Sequence, residues 1–387
     1  MFIRKQFSDI EKHLSSKDIL LIIGPRQVGK TTLLKQIRDT IPGEKKWSWL
    51  TLEDPEVRER LDQHPEELFA ITRTSSSDEQ IVFIDETQYL KDPTNFLKYL
   101  YDMYAPHLKL IVTGSSSFYI DQKFRDSLIG RKKVFTLLPL DFGEFLHFRE
   151  FQYGMDTASE RQKVRSLFSE YITYGGYPEI VLIKERTEKE ERLREYALDY
   201  IKKDIYESGI QEEGKYFALI RLLADQTGSL VNTNELARTL GLSQPTVEKF
   251  LFVLQKTFHI ALIRPWHTNL RKELTKMPKA YFYDLGLRNA FMKDFSPLEE
   301  RLDKGGYTEN IFFRYLLESY KIDDIGFWRT QDKQEVDFIL EDKRAIEIKF
   351  KKKGVSLSSY RFFMEKHPNL NFEIIDYEDI CALWGGE

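Results

Sequence analysis

The chain has 387 residues, a length that suggests about two to four domains rather than one core, and 41% of them are hydrophobic, ample for buried interiors. A formal net charge of -4 excludes a protein that coats nucleic acid through bulk positive charge, so any such contact must be local. The single cysteine, Cys381, excludes an intrachain disulfide and a multi-thiolate metal centre.

The amino-terminal MFIRKQFSDIEKH is interrupted by charges where a signal peptide needs an apolar run. No stretch approaches the ~20 apolar residues of a membrane helix. The expectation is a chain of the reducing cytoplasm with no membrane partner.

Residues 1–140 alternate short apolar runs with helical spacing, the pattern of a parallel sheet covered by helices. Strands are predicted at 18–23, 47–52, 80–85, 108–114 and 132–138. Helices are predicted over TTLLKQIRDT, PEVRERLDQHPEELFAI and TNFLKYLYDMY. Directly after the first strand and before a helix stands Gly24-Pro25-Arg26-Gln27-Val28-Gly29-Lys30-Thr31, followed by Thr32, which satisfies the P-loop pattern in its required context. Glycines let such a backbone wrap phosphates, Lys30 neutralises their oxygens, and the Thr31 hydroxyl can hold Mg²⁺.

The third strand ends in Asp85-Glu86, at the strand end where open α/β sheets bind ligands. Asp85 would support the magnesium, and Glu86 would orient the attacking water. The fourth strand ends Thr113-Gly114-Ser115-Ser116-Ser117, polar groups suited to sensing a γ-phosphate, with Ser115 the candidate contact. Arg131, before the fifth strand, offers an arginine to the transferring phosphate, from within the chain or from a neighbouring copy.

Residues 141–214 read as a helical region, with QYGMDTASERQK as a loop or linker. Within it, Leu193, Tyr196, Ala197, Tyr200, Ile201 and Ile205 recur at three- and four-residue spacing and predict one buried helix face. Residues 215–295 read as a winged helix-turn-helix. Two helices joined at Gly241-Leu242-Ser243 are followed by strands as wings, and the second helix would expose Gln244, Thr246, Lys249 and Lys256. That basic footprint is thin and lacks an arginine for guanine.

Residues 296–387 contain QEVDFILEDKRAIEIKF. Read as two strands, Glu335 and Asp337 share one face, and Glu347 and Lys349 share one face, because side chains alternate. Two readings stand level on this pattern: a solvated amphipathic hairpin with a basic tail at Lys351–Lys353, and a metal-dependent cutting site.

The segments GPRQVGKTTLL, IVFIDETQYL, LIVTGSSS and LIGRKKVFTLLPLDFGEFL, in that order, resemble a family of prokaryotic AAA-type P-loop ATPases, akin to the AAA+ and STAND branches, that carry a C-terminal domain of unknown function. YGGYPEIVL, YFYDLGLRNAF, TENIFFRYLLE and EVDF are similar to the same family, so the resemblance spans nearly the whole chain. It implies that the fourth strand lies between the P-loop strand and the Asp85 strand. The spacing of Asp337 from Glu347-Ile348-Lys349 resembles the PD-(D/E)XK nuclease signature, with Glu309 supplied by a preceding helix.

The expected fold is therefore α/β: a P-loop NTPase parallel sheet, a helical region, a winged helix and a C-terminal restriction-endonuclease-like domain. The expected ligands are ATP and Mg²⁺, with Mg²⁺ or Mn²⁺ at Glu309, Asp337 and Glu347 and Lys349 offsetting charge. The expected activity is an ATPase coupled to a DNA-binding, nuclease-like region, with a homo-oligomer left open. The alternative is a STAND-like regulatory ATPase whose C-terminal modules bind protein or DNA without cleavage. A small-molecule phosphotransferase ranks last, because Glu86 favours water as acceptor.

Overall fold

The structure is a computed structural model that describes residues 2–105, 107–114, 128–151, 157–266, 277–330, 332 and 334–385. It divides into two compact units, residues 1–138 with 256–258, and residues 139–255 with 259–387.

The first unit is a five-stranded parallel sheet: β1 Ile19–Ile23, β2 Lys46–Thr51, β3 Gln80–Asp85, β4 Leu108–Gly114 and β5 Lys132–Thr136, in the order β2-β3-β4-β1-β5. The order matches the one the resemblance implied, with β4 between β1 and β3. β1, β3 and β4 are buried along their whole length, which is why they read as continuous apolar runs rather than alternating ones. The helices are α1 Gln6–Glu11, α2 Lys30–Asp39, α3 Pro55–Gln63, α4 Glu67–Thr72 and α5 Pro93–Tyr104.

One helix predicted over residues 55–71 is thus two. Pro65 has no N–H, and it pushes the preceding His64 to extended dihedrals (φ -142°, ψ 100°), which ends α3. The parallel registers pair Ile23 with Gly114 and with Thr136, and Thr51 with Asp85. The P-loop, Asp85–Glu86 and Gly114 therefore gather at one carboxyl edge of the sheet, where such sheets bind ligands.

The second unit opens with helices α6 Phe142–Phe148, α7 Ala158–Tyr174, α8 Pro178–Leu182 and α9 Arg186–Ser208. The expected linker is helical from Ala158: the Thr157 hydroxyl accepts from Glu160 N at 3.2 Å and Glu160 Oε2 accepts from Thr157 N at 2.9 Å, a capping box that starts α7. Residues 152–156 of that stretch lie outside the described residues. α9 buries Leu193, Tyr196, Ala197, Tyr200, Ile201 and Ile205, the face its spacing predicted.

Helices α10 Glu213–Asp225, α11 Thr233–Leu240 and α12 Gln244–Lys256 precede a hairpin of β6 Ile260–Pro265 and β7 Lys279–Phe282. After α13 Leu285–Met292 and α14 Lys304–Leu316 come β8 Ile325–Arg329, β9 Glu335–Leu340, β10 Arg344–Lys349, α15 Arg361–Lys366, β11 Asn371–Asp376 and α16 Tyr377–Gly385. The strands form one six-stranded sheet in the order β11-β10-β9-β8-β6-β7. The hairpin read as wings is therefore part of the sheet that holds residues 335–349. Arg264 and Pro265 pair with Gly326 and Phe327, and Trp266 N donates to Phe327 O at 2.6 Å. The boundary expected at 295/296 falls inside this unit.

Two segments that carried the family resemblance form a backbone joint. Asp284 caps α13, accepting from Leu287 N at 2.8 Å, and its other oxygen accepts from Gly176 N at 2.7 Å. A Cβ on Gly286 would lie 2.0 Å from Tyr174 O, and one on Gly176 would lie 2.1 Å from Leu140 O. YGGYPE and YFYDLG thus owe their glycines to close approach of three chain segments. Gly286→Ala should lower the unfolding free energy by about 1–3 kcal/mol, the range for forced overpacking. Gly305→Ala, where an added Cβ meets nothing within 4 Å, should stay within about 0.5 kcal/mol of wild type. Urea denaturation of the two variants checks the pair.

Candidate functional site

Gly29 caps α2 in the left-handed region (φ 94°, ψ 25°), and Gln27 also sits there (φ 57°). These turns open the loop just ahead of the helix, whose amino terminus carries unpaired N–H groups suited to an anion. A Cβ on Gly24 would stand 2.0 Å from Leu137 O, so this position admits only glycine. Pro25 and Val28 are buried within the loop, Arg26 is half-buried, and Gln27 and Thr32 are exposed. Lys30, 5% exposed, donates to Gly24 O at 3.0 Å and Pro25 O at 2.8 Å, so its ammonium lies across the mouth of the loop.

Thr31 Oγ1 donates to Asp85 Oδ2 at 2.8 Å, joining the P-loop helix to the end of β3. Thr113, on β4, donates its hydroxyl to Asp85 Oδ1 and accepts from Glu86 N at 3.0 Å. The hydroxyl of Thr113 thereby links the metal-holding candidate to the candidate base. Glu86 has left-handed dihedrals (φ 61°, ψ 49°), a conformation that costs a non-glycine residue of order 1 kcal/mol and that accumulates at functional sites. Its carboxylate accepts from Gln88 Nε2.

Ser115 lies outside the described residues. Arg131 sits at the opposite edge of the sheet: Ile19 N donates to Arg131 O at 2.9 Å, and the register pairs Ile19 with Lys132. Five residues of strand at ~3.3 Å each then leave about 16 Å between Arg131 and the P-loop edge. Its guanidinium pairs with Asp102 at 2.7 Å.

Sequence reasoning missed Arg4. Buried at 5% exposure, it donates to Val28 O of the P-loop at 2.8 Å and to Leu138 O at 2.7 Å, bracing the loop from behind. An arginine near a chain end carries no local signal of that task.

The second unit holds a separate cluster. Asp337 and Glu347 are each 5% exposed, which overturns the solvated-hairpin reading. The β9–β10 ladder pairs Ala345 with Ile339 and Ile346 with Phe338; at the next step Asp337 Oδ2 accepts from Ile348 N at 2.9 Å. A side chain thus takes a ladder bond, and the cluster forms at that fork. Lys279 of β7, 1% exposed, reaches Glu335 Oε1 at 2.5 Å, Asp337 Oδ1 at 3.1 Å and Glu309 Oε2 of α14 at 3.1 Å. Tyr281 donates to Glu309 Oε2 at 3.0 Å.

Two strands stand between β7 and β9, about 14 Å in a flat sheet. The sheet therefore curls to bring Lys279 over β9. Glu347 Oε1 accepts from Lys349 and, at 2.8 Å, from Tyr360, while its Oε2 is buried without a partner.

Burial by itself would push the Lys279 ammonium down. Tyr281, Glu309, Asp337 and Glu335 outweigh it and hold the group well above the usual lysine range. Burial first, and the Asp337 carboxylate second, push Glu309 up to about 8 and Glu347 up to about 7. Of the expected metal set, Glu309 and Asp337 converge on an ammonium and Glu347 on Lys349. Among the described residues no three acidic, histidine or cysteine side chains are arranged to hold a metal ion. The residues present do not fit a divalent cation here.

Residues 16–146 match the model of a family described as an AAA domain. Residues 165–298 and 304–378 match two domains of unknown function, DUF8612 and DUF4143. The first unit thus carries an AAA-type, P-loop ATPase-like domain, and a DUF4143 region follows it. An uncharacterized protein of Haemophilus influenzae is 29% identical over 333 residues, 83% of this chain and 79% of that one. An uncharacterized protein of Methanocaldococcus jannaschii is 26% identical over 96% of this chain and 85% of its own. The structure of C. elegans PCH-2 is similar at a TM-score of 0.31 and 14% identity over 47% of this chain and 58% of that one, a likeness too slight to bear on function. Among the described residues, no helix is long and apolar enough to cross a membrane.

The raised carboxyls make stability depend on pH. A carboxyl held above its ordinary 4.5 binds its proton more tightly in the folded chain, so its contribution is full below about 4.5 and is lost as pH rises through about 7 to 8. Glu347→Gln should therefore show a shallower fall in urea midpoint between pH 5 and 8 than wild type. The difference in slope should be a fraction of the ~1.4 kcal/mol per pH unit that one whole proton carries.

Proposed function

We propose that the chain binds and hydrolyses ATP as an AAA-type ATPase. One observation carries the proposal: Lys30, Thr31, Asp85, Glu86 and Thr113 meet at the carboxyl edge of the parallel sheet, joined through Thr31–Asp85 and Thr113–Asp85 hydrogen bonds. The match of residues 16–146 to the AAA domain supports it.

In this reading the Gly24–Thr31 loop and the start of α2 cradle the phosphates with backbone N–H groups. The Lys30 ammonium exchanges the carbonyls of Gly24 and Pro25 for phosphate oxygens, which carry charge where a carbonyl carries only a dipole. Thr31 and Asp85 would hold Mg²⁺, which offsets charge on the transferring group. Glu86 orients a water and accepts its proton as the oxygen attacks the γ-phosphorus and the bond to the bridging oxygen breaks, giving ADP and phosphate. Thr113, touching both Asp85 and Glu86, relays the arrangement of one to the other, with Ser115 beyond it as the expected phosphate sensor. Any help from Arg131 requires a second copy of the chain.

For the second unit, α10 to α12 with the β6–β7 hairpin are read as a winged helix, and the following segment as a nuclease-like fold. Of the two activities weighed for it, Lys279 among the carboxylates favours binding of DNA or protein over cleavage. The exposed Lys351, Lys352 and Lys353 supply a local basic contact for phosphates. Cys381, the single cysteine of the sequence, is buried, which suits the reducing cytoplasm.

Phosphate release from ATP tests the proposal. Wild type should turn over, Lys30→Ala should lose nucleotide affinity, and Glu86→Gln should still bind ATP while turnover falls by about 10²-fold or more. Release that neither substitution changes would remove the site from the reaction.

A further inference from the structure

The carboxylates of the second unit surround a lysine supplied by a different part of the chain, and the fit is close. An ammonium has three N–H donors. Lys279 lies within hydrogen-bonding distance of three carboxylates, at 2.5 Å from Glu335 and 3.1 Å from both Asp337 and Glu309. Two of its donors go to Glu309 and Asp337, Glu335 pairs with the same charge, and the three acids have a common positive centre.

The lysine is also anchored. On one side its strand pairs with β6, Lys279 opposite Ile263. On the other, Lys279 bridges Leu230, Val231 N donates to Pro278 O at 2.7 Å, and Gly228 N donates to Ala280 O at 3.0 Å. Asn310, one residue from Glu309, brackets Phe282, accepting from its N at 2.8 Å and donating to its O at 2.9 Å. Backbone bonds on both sides of β7 thus fix where the ammonium stands, and α14 brings Glu309 to the same spot.

A magnesium- or manganese-sized ion needs about six oxygen ligands at ~2.0–2.2 Å around one centre. Here Asp337 spends one oxygen on Ile348 N and the other on Lys279, while Glu347 turns an oxygen to Lys349 and Tyr360. A divalent ion placed among Glu309, Glu335 and Asp337 would share their centre with a buried positive charge a few ångströms away. Two such charges repel strongly where water is excluded. Ammonium and metal are alternatives at this position.

We propose that Lys279 is a resident cation that takes the place of a divalent metal among Glu309, Glu335 and Asp337, closing the cluster to metal ions. The cluster then joins β7, β9 and α14 by charge rather than opening a hydrolytic centre. This deepens the non-cleaving reading of the second unit and is independent of ATP hydrolysis in the first.

The test is Mn²⁺ titration of the nucleotide-free full chain, by calorimetry and by the spin resonance of free Mn²⁺. Wild type and Asp337→Asn should bind the same number of ions. Lys279→Met should gain one site, which the added Asp337→Asn removes again. Its thermal midpoint in chelator should fall below wild type and recover several degrees with Mn²⁺, because the metal restores the missing charge. A wild-type site that Asp337→Asn abolishes would overturn the proposal. So would a folded Lys279→Met that binds no more Mn²⁺ than wild type. Should Lys279→Met fail to fold, the comparison of wild type with Asp337→Asn decides alone: equal binding supports the proposal and loss overturns it.

Discussion

An ammonium removed from water must find oxygen, and both units of this protein are built around that constraint. Lys30 and Lys279 are each nearly sealed from solvent. An unpaired charge at such depth would cost many kcal/mol. The two are met differently. Lys30 donates to the Gly24 and Pro25 carbonyls of the loop it serves, contacts that a phosphate can outbid. Lys279 has three acidic side chains around it, and its charge is already answered. The first arrangement can receive an anion; the second holds strands and a helix together.

Each arrangement depends on backbone fixed elsewhere. The P-loop takes its shape from Gly24 pressed on Leu137, from the left-handed Gln27 and Gly29, and from Arg4 holding Val28. Asp85 is brought to Thr31 by parallel registers that align the carboxyl ends of β1, β3 and β4. In the second unit, Gly306 lets α14 approach Thr227 O, where an added Cβ would stand 2.2 Å away. That approach sets Glu309 beside the turn at Gly228 and within reach of Lys279.

The candidate nucleotide site was legible because its chemistry is local. Gly24 to Thr31 specify their own turn and helix start, and Asp85–Glu86 close a strand whose apolar run marks it as buried. Other features were legible and were passed over. Arg131 precedes a parallel strand and so must lie at the amino edge, away from the phosphates. Pro65 announces the break between α3 and α4, and Thr157-x-x-Glu160 announces the start of α7. Lys279 was a different case. It stands 58 residues from Asp337, and only the curl of the sheet brings the two together. The lone hint was a lysine and a tyrosine at alternate positions of Lys279-Ala280-Tyr281-Phe282, a strand buried throughout. Alternation along β9 and β10 correctly put Glu335 with Asp337 and Glu347 with Lys349, yet it could not tell whether that face met water or another strand.

The central claim is that Lys30 and Lys279 differ in kind, one exchangeable and one fixed. A structure of the full chain with a slowly hydrolysed ATP analogue and Mg²⁺ tests it most directly. The account predicts that Lys30 Nζ leaves the carbonyls of Gly24 and Pro25 for phosphate oxygens while Lys279 keeps Glu309, Glu335 and Asp337. Phosphates bound away from the Gly24–Thr31 loop, with Lys30 still on its carbonyls, would contradict it.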